Sequence, residues 1–87
     1  MKLKLLGSEA AAGTSSTNGS NVGLATLVRV HNNGDTARLV SLETSAAALI
    51  GTFTIAPNAT ELLDKTTTDE IFAAHADVKL VGVAYYS

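Results

Sequence analysis

The stretch Leu24-Ala-Thr-Leu-Val-Arg-Val-His31, Asn32-Asn-Gly-Asp35, Thr36-Ala-Arg-Leu-Val-Ser-Leu-Glu43 decides how this chain is read. Two runs rich in β-branched and aliphatic residues flank a cluster of turn formers, which is the pattern of strand, turn, strand. Asn33-Gly34 supplies the positive φ angles that a type I′ turn requires, so a tight hairpin is expected. Alternation puts Val28 and Val30 on one side of the first arm and Arg29 and His31 on the other. On the second arm Val40 and Leu42 share a face with Arg38.

Working outward, Leu49, Gly51, Phe53 and Ile55 alternate with Ile50, Thr52 and Thr54 as a third strand, ended by Pro57-Asn58. Ala59 to Lys65 alternates again and reads as a half-exposed strand. Asp77 to Tyr86 is the longest candidate. It is apolar on both faces beyond Lys79, so a central position covered on both sides is expected. At the start, Lys2 to Leu6 suits a short strand with Leu3 and Leu5 on one face. Residues 66–75 leave two readings open: a helix, because Thr67 and Glu70 have capping-box spacing, or a short strand after a turn.

Between the first strand and the hairpin, residues 7–21 contain no Val, Ile, Leu, Phe or Tyr. Fifteen such residues are long for a loop in a compact domain, which implies a mobile tip or a segment ordered by packing on a neighbour. The expected architecture is therefore all-β: a small antiparallel β-sandwich of about six to seven strands forming one domain over 1–87, with a long Ser/Thr/Gly/Asn-rich N-terminal loop or arm at 7–21.

Composition supports a folded but thin-cored chain. Hydrophobic residues make up 46% of the 87, and Leu, Ile, Val and Phe together number 23. That is above the roughly 20% floor for folding. The chain has no Cys and no Trp, so the disulfide staple of many small domains is missing and oligomerisation is the expected substitute. A net charge of −2 with scattered bases argues against nucleic acid. Leu3 to Leu6 is interrupted by Lys4 and too short for a signal peptide, and no window approaches 18 uninterrupted apolar residues. A soluble protein made inside a cell, without membrane contact, is expected.

Motifs for chemistry are sparse. His31 abuts the expected turn and His75 sits in a polar connection, so both read as surface side chains. No zinc-ligand spacing, EF-hand loop, phosphate-binding glycine pattern or Gly-x-Ser-x-Gly elbow is present. Asp69-Glu70 reads as capping and solubility. Asn18-Gly-Ser and Asn58-Ala-Thr match glycosylation acceptors by chance in a chain without a secretory signal. Alternation puts Tyr85 and Tyr86 on opposite faces, one in the core and one exposed. No catalytic, cofactor-binding or metal residue is assigned, and a non-enzymatic protein without cofactors is expected.

Several short features together carry a resemblance. They are the Lys2-Leu-Lys-Leu5 start, the Ser/Thr/Asn-rich segment, Leu27-Val-Arg-Val-His-Asn32 leading into Asn33-Gly34, Thr68-Asp69, and the closing Val83-Ala-Tyr85. In these the chain resembles small β-sandwich virion structural proteins, decoration or cement-like, of marine tailed bacteriophages. The resemblance implies a structural role in the virion, assembled in the host cytoplasm, without choosing among capsid surface, neck, tail and fibres; the thin core and the polar arm point to a capsid decoration subunit. Such a subunit self-associates, with a trimer as the expected closed form, and packs on the major capsid protein through arm contacts. It transfers no functional residue. The alternatives are a neck, tail or fibre protein, and a carbohydrate- or receptor-binding β-module using Tyr86, His31 and His75.

Overall fold

A computed structural model of the chain describes residues 2–86. Eight antiparallel strands form two packed sheets: β1 (Lys2–Leu5), β2 (Ala10–Ala11), β3 (Leu27–Asn32), β4 (Arg38–Glu43), β5 (Leu49–Ile55), β6 (Thr60–Asp64), β7 (Glu70–Ala73) and β8 (Val78–Tyr86). The count exceeds the expected six to seven because Ala10-Ala11 adds a two-residue strand inside the polar segment. Residues 66–75 resolve as a turn followed by β7, so Thr67 caps no helix there. One sheet runs β1-β8-β3-β6, with β2 also on β8; the other runs β5-β4-β7.

The central hairpin is where sequence and structure part. β3 and β4 never pair: β3 lies between β8 and β6, and β4 lies between β5 and β7 in the opposite sheet. The intervening residues form a corner between sheets. Neither Asn33 nor Gly34 adopts a positive φ. What shapes the corner is the Asn32 side chain, fully buried at the end of β3. Its Oδ1 accepts from the Gly34 amide at 3.0 Å, and its Nδ2 donates to the carbonyls of Thr36 at 2.8 Å and Ile55 at 3.2 Å. This is an Asx turn that also stitches the two sheets together. Glycine is needed at 34 for room, since a Cβ there would run into the Asp77 carboxylate.

The core between the sheets consists of Val28, Val30, Val40, Ile55, Ile71, Val78 and Leu80 with small alanines, packed by Phe53 and Leu63 at the margin. β8 takes the central place expected of it, with Leu80 to Val83 buried. Its end differs from expectation. Tyr85 and Tyr86 do lie on opposite faces, but both are exposed. β3 also starts later than expected, because Val22, Gly23 and Leu24 all have left-handed φ and form a turn that delivers the chain to Leu27.

Residues 7–21 are docked on their own domain. Leu6 donates to the Gly82 carbonyl, Ala10 and Ala11 pair with Leu80 and Lys79, and the Ala12 amide reaches Val78, so β1 and β2 form one interrupted edge along β8. The chain then crosses to the other sheet. Gly13 accepts from the Ala73 amide, Ser20 exchanges both backbone bonds with Ile71, and a short 3₁₀ turn at Ser16–Asn18 lies between. The contacts that the sequence assigned to a neighbouring subunit are made here within the chain.

These pairings form a nested set. β1 pairs with β8, the Ser20 position with β7, β3 with β6, and β4 with β5. The further pairs β3–β8 and β4–β7 roll this long antiparallel hairpin into two sheets. Such nesting is the jelly-roll topology, here with its second strand reduced to the single Ser20 bridge.

Candidate functional site

The outer face of the larger sheet carries the richest side-chain arrangement. Arg29 of β3 stands opposite Val81 of β8 and Leu62 of β6. Its guanidinium donates to Glu9 at 3.0 Å, which ties the Gly7-Ser8-Glu9 excursion to the sheet. The same guanidinium reaches the Thr60 hydroxyl at 3.5 Å, and the His31 Nδ1 lies 2.8 Å from that hydroxyl. Beside this network opens a cleft of about 470 Å³, lined chiefly by Leu3, Leu5, Glu9, Arg29 and Val81. It is an apolar trough with one ion pair on its wall, suited to an aliphatic or amphipathic partner segment.

A second open cleft of about 420 Å³ is lined by Lys4, Ala84, Tyr85 and Tyr86. The three side chains named for the carbohydrate alternative do not converge. His31 pairs with Lys79 near the start of β8, whereas Tyr86 ends it. Seven residues of extended strand separate those points, roughly 23 Å. His75 lies in the β7–β8 turn, where its Nδ1 accepts from the Asp77 amide at 3.0 Å.

Two features escaped the sequence reading. The first is a carboxylate pair, Glu43 on β4 facing Glu70 on β7 under the 3₁₀ turn. Glu43 is 1% exposed; Ser16 Oγ donates to its Oε1 at 2.6 Å, and its Oε2 has no partner among the described residues. Gly19 closes over both groups, and a Cβ there would meet Glu43 Oε2 at 2.7 Å. The second is Lys65, buried after β6, whose ammonium donates to the carbonyls of Thr66 and Thr67. Burial lowers its pKa from the ordinary lysine value, partly opposed by the nearby Asp69 carboxylate. The carboxylate pair has no local motif, because sheet register and loop docking bring its groups together, whereas Lys65 bonds the next two residues and only its burial is set by the fold. Among the described residues no three His, Cys, Asp or Glu side chains are grouped to hold a metal ion. Among the same residues no helix is long and apolar enough to cross a membrane.

The surface is otherwise marked by large aliphatic groups. Seven of the eleven leucines, Leu3, Leu5, Leu6, Leu24, Leu39, Leu49 and Leu62, are exposed, as is Ile50. Comparison with family models, curated proteins and solved structures returns no match.

Proposed function

We propose that the chain is a non-enzymatic virion structural protein, a decoration or cement subunit that coats a phage head, contacts the major capsid protein and self-associates. The observation that carries this reading is the jelly-roll pairing, an architecture used by viral capsid and lectin domains. The step from fold to role is an analogy between folds, and the surface gives it chemical content. A core of valine, isoleucine and alanine surrounded by exposed leucines suits a module whose larger aliphatic side chains are spent on neighbours. The trough beside Leu3, Leu5 and the Glu9–Arg29 pair is the surface offered to the shell.

The deciding experiment quantifies this chain against the major capsid protein in purified particles by mass spectrometry with labelled peptides. A ratio near one, or a simple fraction of it, supports decoration. A far lower ratio moves the protein to the neck, tail or fibres. Absence from particles discards the virion reading in favour of the lectin-like use of the same topology, for which a glycan-array signal lost on Tyr86→Ala is the corresponding check.

A further inference from the structure

Each sheet has two edges, and three of the four are managed. The β6 edge carries Glu61 and Asp64. The β1 edge carries Lys2 and Lys4, with β2 and the Gly7 to Glu9 excursion continuing it. The β7 edge is covered by the chain's own residues through the Gly13 and Ser20 bridges. Charge and covering are the ordinary means by which proteins keep strand edges from pairing.

β5 has neither among the described residues. Its seven residues, Leu-Ile-Gly-Thr-Phe-Thr-Ile, contain no charge, and only Ile55 is buried. Leu49 is 65% exposed and Ile50 51%. The strand is also the longest after β8. We infer that β5 is an assembly edge whose occupant is β5 of a second copy, paired antiparallel across a two-fold axis at Thr52. The two three-stranded sheets then become one of six strands.

The sequence of the strand selects this occupant and register. An uncharged strand meets no like charge when it faces itself, whereas pairing with β1 or β6 of another copy brings unpaired lysines or carboxylates onto an aliphatic edge. With the axis at Thr52, Thr52 faces its own copy and Phe53 faces Gly51 of the partner on both sides of the axis. Threonine pairs and an aromatic ring beside an edge glycine are both favourable across strands. The bulge that leaves Ile50 out of register with β4 lies outside these three pairs. Shifting the axis to Phe53 would bring in Ile55, whose carbonyl already accepts from Asn32, and would oppose two phenyl rings already packed against their own cores.

The inference rests on the self-association in the proposed function, puts a two-fold in place of the trimer expected from the sequence, and is independent of where the protein acts. It is read on the purified full chain, whereas the virion reading is decided on particles. The chain lacks cysteine, so Thr52→Cys introduces a unique thiol. Directly opposed residues in an antiparallel pair lie within disulfide reach. Mild oxidation should convert Thr52→Cys to covalent dimer at least tenfold faster than Thr60→Cys on β6. In sedimentation equilibrium, Thr52→Lys and Thr52→Glu should each weaken dimerisation at least tenfold, with the melting temperature unchanged at dilutions where the wild type is monomeric, and an equimolar mixture of the two should dimerise again. A wild-type chain that stays monomeric up to millimolar concentration overturns the inference. So does a trimer, equal cross-linking at 52 and 60, or failure of the mixed charges to restore the dimer.

Discussion

Asn32 does the work that a hairpin turn was expected to do. Its side chain is buried and makes three hydrogen bonds, and a typical bond contributes about 1 kcal/mol net, with further cost for each group left unpaired. Asn32→Ala should therefore lower unfolding free energy by about 2–4 kcal/mol in urea titration. Asn32→Asp should cost at least as much, because a carboxylate cannot donate to the Thr36 and Ile55 carbonyls. If Asp is better tolerated than Ala, the assigned donor roles are wrong. Lys65 gives a prediction with a definite sign. Its folded pKa is lowered mainly by desolvation, so the folded state holds its proton less tightly than the unfolded chain does. The resulting penalty is present at neutral pH and is relieved as pH rises through the lowered value toward the ordinary one near about 10.4. Relative to Lys65→Met, the wild-type chain should gain stability across that alkaline window. Parallel pH–stability curves for the two proteins would defeat this account.

At the scale of elements, β4–β5 is the one true hairpin between successive long strands, and its turn is closed by Thr44. The Thr44 amide donates to the Ala48 carbonyl, the Ala47 amide to Thr44, and the Thr44 hydroxyl accepts from the Ala48 amide. Ala47 holds φ at 65°, a left-handed value that costs an L-residue roughly 1–2 kcal/mol. Ala47→Gly should relieve this strain and raise stability by about 0.5–1 kcal/mol after the entropy that glycine loses. A drop in melting temperature would show that the turn is held differently.

The sequence was informative about these elements wherever local pattern governs. The strand at residues 49–55, the length and two-sided burial of β8, and the Pro57-Asn58 stop all hold, although a bulge at Ile50 breaks the alternation of the first. Asn58 does take the positive φ that its turn requires. The failures share one cause. A strand pair and a sheet-to-sheet corner present the same local signal, two β runs around turn formers. Only the partners of β3 and β4, 30 or more residues away in sequence for Leu63 on β6 and Leu80 on β8, distinguish them. The Glu43–Glu70 pair and the Arg29–Glu9–Thr60–His31 network were invisible for the same reason.

For the whole molecule, the accessible surface of 4827 Å² and radius of gyration of 12.0 Å agree with surface and size scaling for a compact chain of this length, about 4,800 Å² and about 12 Å. The chain is thus as compact as a monomer of its size. A need to self-associate is argued from the uncharged β5 edge and the exposed leucines, and not from a defect in packing. The docking of residues 7–21 narrows the same argument: a segment already holding β7 and β8 leaves its own sheet uncovered if it reaches elsewhere.

The nesting of strand pairs also sets an order in time. β4 and β5 are joined by five residues and can meet early, but every other long-strand pair spans a loop that encloses earlier pairs. β8, which bridges β1 and β3, leaves the ribosome after the other seven strands, so the larger sheet closes only once all of them are out. Until β6 and β7 follow, the β4–β5 hairpin is the one pair of long strands that can form, and its uncharged side is open. The edge we assign to assembly is thereby the first edge of a paired sheet that a nascent chain presents to its sisters on the same message.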